Sequence, residues 1–177
     1  MHRQPVLTLL RAHAARILDA HELAMTADTI RFVGEHADCL LRSCAPGHLT
    51  GSAWIVSPDR RRTLLTHHLK LDKWLQLGGH ADGEGDLLAV ALREAREESG
   101  LSRLHAIASG IFDLDRHWIP PRNADSGHYH YDLRFVLEAD PRLVQEEGAP
   151  GPGLRGTIWL APFERNMVQE VRLLARP

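Results

Sequence analysis

The chain has 177 residues, a length that suits one domain with a small appendage and a real buried core. Its 44% apolar and 25% charged residues are those of a globular chain and exclude a disordered or fibrous one. With 21 Lys plus Arg against 23 Asp plus Glu, the net charge is −2, and nothing suggests the basic surface of a nucleic-acid binder.

From Pro5 to about Ala24, Leu7, Leu10, Ala14, Ile17 and Leu18 recur at helical spacing. Arg11, His13 and Arg16 break this stretch too often for a signal peptide. A second helix is expected from about Ala27 to Leu41, with Ile30, Val33, Ala37 and Leu41 on one side. Cys39 and Cys44 match no metal or redox spacing and read as reduced thiols of a cytoplasmic protein. Pro46-Gly47 breaks the pattern, so residues 1–46 read as a helical N-terminal extension and 47–177 as the main domain.

The texture then becomes mixed α and β. Strands are expected at Ser52–Val56, Thr63–Thr66 and Trp74–Leu77, the first two forming a hairpin across Ser57-Pro58-Asp59. A helix follows from about Leu87 to Ser99, closed by Gly100. Further strands are expected at Ala106–Asp113, Tyr131–Glu138 and Thr157–Leu160, and a last helix at Pro162–Leu174. His117 to Arg122 reads as a structured loop, as does Gln145–Gly156. No uncharged apolar run is long enough for a membrane span.

The chemistry is concentrated in the glycine loop Gly78-Gly79-His80-Ala81-Asp82-Gly83-Glu84-Gly85-Asp86 and the helix after it. Glu94, Glu97 and Glu98 stand at i, i+3 and i+4, within one narrow arc of that helix at about 100° per residue. A solvated acidic face is the ordinary meaning of such a run. Two facts count against it. The same arc carries Leu87, Val90 and Ala91, so it packs on something, and the exposed sector falls instead to Ala89, Arg93 and Arg96. Glu97 and Glu98 also lie at the negative end of the helix dipole, where crowded carboxylates call for a positive partner. A hard dication such as Mg²⁺ fits, because it prefers carboxylate oxygens and keeps waters for a phosphate ligand. Gly78 and Gly79 allow close approach of a ligand.

These residues resemble the Nudix box: Gly, five residues, Glu, seven residues, then Arg-Glu-apolar-x-Glu-Glu-x-Gly-apolar. Counting from Gly79, the chain supplies Arg93-Glu94-Ala95-Arg96-Glu97-Glu98-Ser99-Gly100-Leu101 in register. One fixed position departs: the first Glu falls on Gly85, with Glu84 and Asp86 beside it. The resemblance implies an α/β (α+β) fold, a mixed β-sheet sandwiched between helices. It implies a hydrolase that cleaves a phosphoanhydride bond in a nucleoside-diphosphate-linked small molecule, with Mg²⁺ or Mn²⁺. Glu97 and Glu98 would be metal ligands, Glu94 a third ligand or the base, and the Gly78 carbonyl would complete the shell. Arg93 would steady the Glu97 side of the helix. A later-loop carboxylate such as Glu147, or Glu146 beside it, is a further candidate base, and a homodimer is expected on the resemblance alone.

Twelve histidines are unusual in number. His67 and His68 precede the box, His80 lies inside it, and His117, His128 and His130 follow. His128 and His130 share one face of a strand. Singly, each reads as a surface or core histidine; gathered at one pocket, they can bind phosphate, stack on a base, or ligate a softer metal such as Zn²⁺ or Mn²⁺. His80, Arg122, His128 and His130 are the candidate substrate contacts. Trp118 and Tyr131 can stack on a nucleobase, though core packing is the commoner role.

Two other functions stand beside the hydrolase. Isopentenyl-diphosphate isomerases resemble this arrangement but carry Cys-Gly-His where this chain has Gly78-Gly79-His80, and the missing thiol argues against that chemistry. A non-catalytic nucleotide-sensing module is favoured by Gly85 and opposed by the intact carboxylate triad.

Overall fold

A computed structural model describes residues 3–70, 72–122, 126–143 and 151–160. Among them are three helices: α1 (Gln4–Ala14), α2 (Ala20–Glu35) and α3 (Leu87–Ser99). The strands are β1 (Gly47–Val56), β2 (Thr63–His68), β3 (Lys73–Leu75), β4 (Leu77–His80), β5 (His105–Ala106), β6 (Asp113–Ile119), β7 (His128–Glu138) and β8 (Leu154–Leu160). They form one mixed sheet along the path β3-β2-β1-β7-β5, with β4 paired to β1, β6 to β7 and β8 to β2. This is the expected α+β architecture. No helix among the described residues is long and apolar enough to cross a membrane.

The chain clusters into two compact units. The first holds Met1–Gly51, Gly79–Val90 and Gly110–Arg134; the second holds Ser52–Gly78, Ala91–Ser109 and Phe135–Pro177.

In the first unit, Pro5 opens α1, where its missing N–H costs nothing. Val6, Leu10 and His13 form the buried face of α1, and Thr26, Thr29, Phe32 and Val33 that of α2. The two threonines tolerate burial because each hydroxyl donates to the carbonyl one turn back, at 2.8 and 2.9 Å. Asp19 caps α2 by accepting from the Glu22 N–H at 2.8 Å. At the other end the Arg3 guanidinium donates to the Val33 and Gly34 carbonyls at 2.6 and 3.0 Å, the favourable charge for a helix C-terminus. The helices therefore span other residues than the apolar spacing predicts. Asp19 starts α2 before Ala27, and Leu18, expected on the buried stripe, is fully exposed in the connection.

The β6–β7 hairpin completes this unit, with pairs running from Asp113↔Arg134 to Ile119↔His128. That register sets Asp115 opposite Asp132 and His117 opposite His130. Two facing carboxylates destabilise a sheet unless compensated. Arg134 compensates them: it donates to Asp113 at 2.6 Å, Asp115 at 2.9 Å and Asp132 at 3.0 Å. Thr50 of β1 donates to the other oxygen of buried Asp132 at 2.7 Å. His117 and Trp118, read from sequence as loop, belong to β6; Pro120-Pro121 marks the strand's end, not a loop throughout.

In the second unit β2 pairs with β1, β3 and β8, and Thr63 to Thr66 lies opposite Leu160 to Thr157. Strand β8 starts at Leu154, inside the segment expected to be loop. The expected strand Ala106–Asp113 is interrupted. His105 and Ala106 pair with β7, at Glu138 and Leu137, the Ile107 N–H donates to the Val136 carbonyl, and the register resumes in the first unit from Asp113. The end of α3 is closed as expected: Gly100 takes φ 72° and its N–H donates to the Arg96 carbonyl at 2.8 Å. The expected helix Pro162–Leu174 lies outside the described residues.

Candidate functional site

Two clusters stand out, one in each unit. In the second unit Ala95 and Ser99 are buried on α3, which leaves Glu94 and Glu98 half-buried and Glu97 exposed. The Gly78 N–H donates to Glu98 Oε2 at 3.0 Å. Residue 78 must be glycine here because a Cβ would lie 2.3 Å from Ser52 Oγ and 2.7 Å from its Cα. Burial raises the Glu98 carboxyl to about 7; the Gly78 N–H opposes the shift, and the neighbouring charges of Glu94 and Glu97 add to it.

Arg93, expected on the exposed sector and beside Glu97, is half-buried and donates to Glu94 Oε1 at 2.8 Å. Glu97 and Glu98 have no cationic side-chain partner among the described residues. The acids flanking Gly85 are committed elsewhere. Glu84 accepts from the Asp86 N–H at 2.9 Å, and Asp86 accepts from the Ala89 N–H at 3.1 Å, an N-cap for α3. Glu146 and Glu147 lie outside the described residues; the described chain resumes at Gly151, whose N–H donates to the Glu98 carbonyl at 3.2 Å.

In the first unit His48, His80, His128 and His130 form a nest of rings. Ring centres stand 4.9 Å apart for His48–His80, 4.8 Å for His48–His128 and His48–His130, and 5.0 Å for His80–His130. Burial, reinforced by neighbouring imidazoles and by Arg42, lowers His48 and His80 to about 4; burial and the neighbouring imidazoles lower His130 to about 3. The His48, His80 and His130 rings are therefore neutral near pH 7. Sequence reasoning grouped His80, His128 and His130 and missed His48. Its only signal was a histidine at a buried strand position, which gains meaning once β1 is paired. Arg122 is exposed. In the second unit His67 faces Asp72 at 3.2 Å and the Trp74 ring edge at 5.0 Å.

The first unit also holds a cavity of about 430 Å³, lined in part by Arg31, Phe32, Trp118, Tyr129 and Tyr131. Tyr131 is core, stacked on Phe32 at 4.0 Å and 11°; Trp118 and Tyr129 are 51% and 37% exposed and are rings available to a ligand. Cys39 and Cys44 are free and buried, as expected for reduced thiols. Burial, with a hydrogen bond to Asp38, raises the Cys44 thiol to about 11.

No family model and no curated protein matches the chain. Among solved structures it is similar to a NUDIX-family hydrolase from Clostridium perfringens, at 22% identity over 72% of this chain and 96% of that one, TM-score 0.46. It is also similar to the E. coli dihydroneopterin triphosphate pyrophosphohydrolase, at 15% identity over 71% of this chain and 92% of that one, TM-score 0.51. The chain shares the α+β fold of that pyrophosphohydrolase. Within that fold, α3 carries the box residues Arg93, Glu94, Glu97 and Glu98 at the spacing quoted above, and Gly85 remains the departure.

Proposed function

We propose that the chain is a Nudix-type pyrophosphohydrolase, dependent on Mg²⁺ or Mn²⁺, that cleaves a phosphoanhydride bond in a nucleoside-diphosphate-linked substrate. The observation that carries this reading is the Glu94, Glu97 and Glu98 group, in which one carboxyl is pushed to about 7 and two lack a cationic partner among the described residues. Their oxygens fit a hard dication. Glu97 and Glu98 would hold it, with Glu94 and the Gly78 carbonyl as further donors. When bound, the ion neutralises phosphate oxygens and makes water a stronger nucleophile at neutral pH.

The chain's own groups do the rest. The Gly78 N–H fixes one oxygen of Glu98, and Arg93 fixes Glu94, which then serves as ligand or accepts the proton of the attacking water at its carboxylate. Glu147 is a second candidate base.

The test is phosphate release from a panel of nucleoside-diphosphate compounds with Mg²⁺ and with Mn²⁺, using a coupled phosphatase and Glu97→Gln/Glu98→Gln as control. Metal-dependent turnover that the double variant loses is the expected result. Tight nucleotide binding with no turnover selects the sensing module instead, the reading that Gly85 and the committed Glu84 and Asp86 favour.

A further inference from the structure

The histidine nest of the first unit poses a problem that the hydrolase reading leaves unused. His48 is 2% exposed, and neither of its ring nitrogens has a hydrogen-bond partner among the described residues. A buried polar group without a partner costs free energy, so one left in place calls for an explanation. His128 is oriented from behind: its Nδ1 lies 2.9 Å from the Ser126 carbonyl oxygen, an atom that only accepts. Nδ1 therefore donates, which leaves Nε2 as the nitrogen that can offer a lone pair to a metal. This is how metal-binding imidazoles are held, with the far nitrogen donating to a carbonyl or carboxylate.

That Nε2 stands 3.3 Å from His130 Nε2. A tetrahedral ion with bonds of about 2.0–2.1 Å has donor-to-donor edges of about 3.3 Å. His48 completes the group: one nitrogen from each of His48, His128 and His130 lies within 4.8 Å of the others. The His80 ring borders the same space, and His117, opposite His130, is tied through Nδ1 to Asp115 at 3.0 Å.

We propose that His48, His128 and His130 bind a borderline transition-metal ion of the Zn²⁺ class, in a site made of ligands other than the α3 carboxylates. Three imidazole nitrogen donors select Zn²⁺, Co²⁺ or Ni²⁺ over Mg²⁺, which requires oxygen donors. Three protein ligands leave a coordination position for water or an anionic ligand group. The proposal does not depend on the hydrolase reading.

The test uses the full chain without a polyhistidine tag, stripped by chelator, and reads metal binding alone. Titration with Co²⁺ in excess Mg²⁺, followed by absorption and then displacement by Zn²⁺, should give one ion per chain with the intensity of a four-coordinate site. X-ray absorption of the Zn²⁺ form should show a nitrogen and oxygen shell with imidazole scattering from three rings. His128→Gln/His130→Gln should weaken Zn²⁺ by at least ~100-fold, the upper end of what losing a supporting partner does. Glu97→Gln/Glu98→Gln should leave Zn²⁺ affinity unchanged. If the double histidine variant loses its circular dichroism spectrum, His128→Gln alone is read by the same criterion.

Three outcomes overturn the proposal. One is the absence of saturable binding. Another is full affinity in the histidine variant or its loss in the glutamine variant. The last is a sulfur ligand, which would assign the ion to the other close donor group, His36, Asp38 and Cys44.

Discussion

Each unit of the molecule carries a carboxylate triad, and the two are managed in opposite ways. Asp113, Asp115 and Asp132 are gathered by Arg134, whose guanidinium bonds all three. Glu94, Glu97 and Glu98 have Arg93 on the first and a backbone N–H on the last, with no cation on Glu97 or Glu98 among the described residues. A triad neutralised from within stabilises the hairpin. A triad left with net charge is costly to keep and has room for an external cation. The contrast separates a structural cluster from a candidate catalytic one.

Replacing the acids of the second triad tests the functional side and should have the largest effect. Glu97→Gln/Glu98→Gln should lower turnover by about 10³-fold, on the scale of losing a principal stabiliser of transition-state charge. Its urea midpoint should hold or rise, because repulsion is relieved; a collapse of stability instead would make this triad structural.

Removing the cation of the first triad reverses the pattern. Arg134→Met leaves buried Asp132 unpaired with the guanidinium and should cost about 3–5 kcal/mol in denaturant unfolding. A loss under about 1 kcal/mol would show that the hairpin does not need its internal counter-charge.

The metal-free protein should also show two pH slopes of opposite sign. Glu98 is raised in the fold from the ordinary 4.5 to about 7, so the folded state holds its proton more tightly and stability falls as pH rises through that window. His48 and His80 are lowered from 6.5 to about 4 and His130 to about 3, so the unfolded state takes the proton first and stability falls as pH drops below 6.5. Urea midpoints from pH 4 to 8 check both. Glu98→Gln should flatten the slope between about 4.5 and 7 that Glu98 contributes; an unchanged slope would remove Glu98 as its source.

The smallest effect is expected at the support of Glu98. Gly78→Ala forces a Cβ onto the Ser52 backbone and should cost about 1–3 kcal/mol as overpacking. Thermal unfolding measures it, and a neutral result would mean that β4 has slack.

The carboxylate triad of α3 was legible in the sequence because one helix carries all of it. Spacing at i, i+3 and i+4 is geometry enough, and Gly100 marks the end of that helix. The N-terminal helices were legible as helices but misplaced. Apolar spacing does not see Asp19 capping α2 or Arg3 bonding its last carbonyls. The resemblance sets Arg93 on the Glu97 side of the helix, and its guanidinium donates to the adjacent Glu94.

By itself, then, the sequence determined what short-range periodicity can carry: the α+β class, the α3 box with its Gly85 departure, and the shared strand face of His128 and His130. Tertiary structure decided what depends on register and burial. It brought His48 to His128 and His130 from 80 and more residues away, opposed Asp115 to Asp132, and paired Arg134 with both. The physical reason is that a strand's pattern states which face a side chain takes, but only pairing states which neighbour it meets.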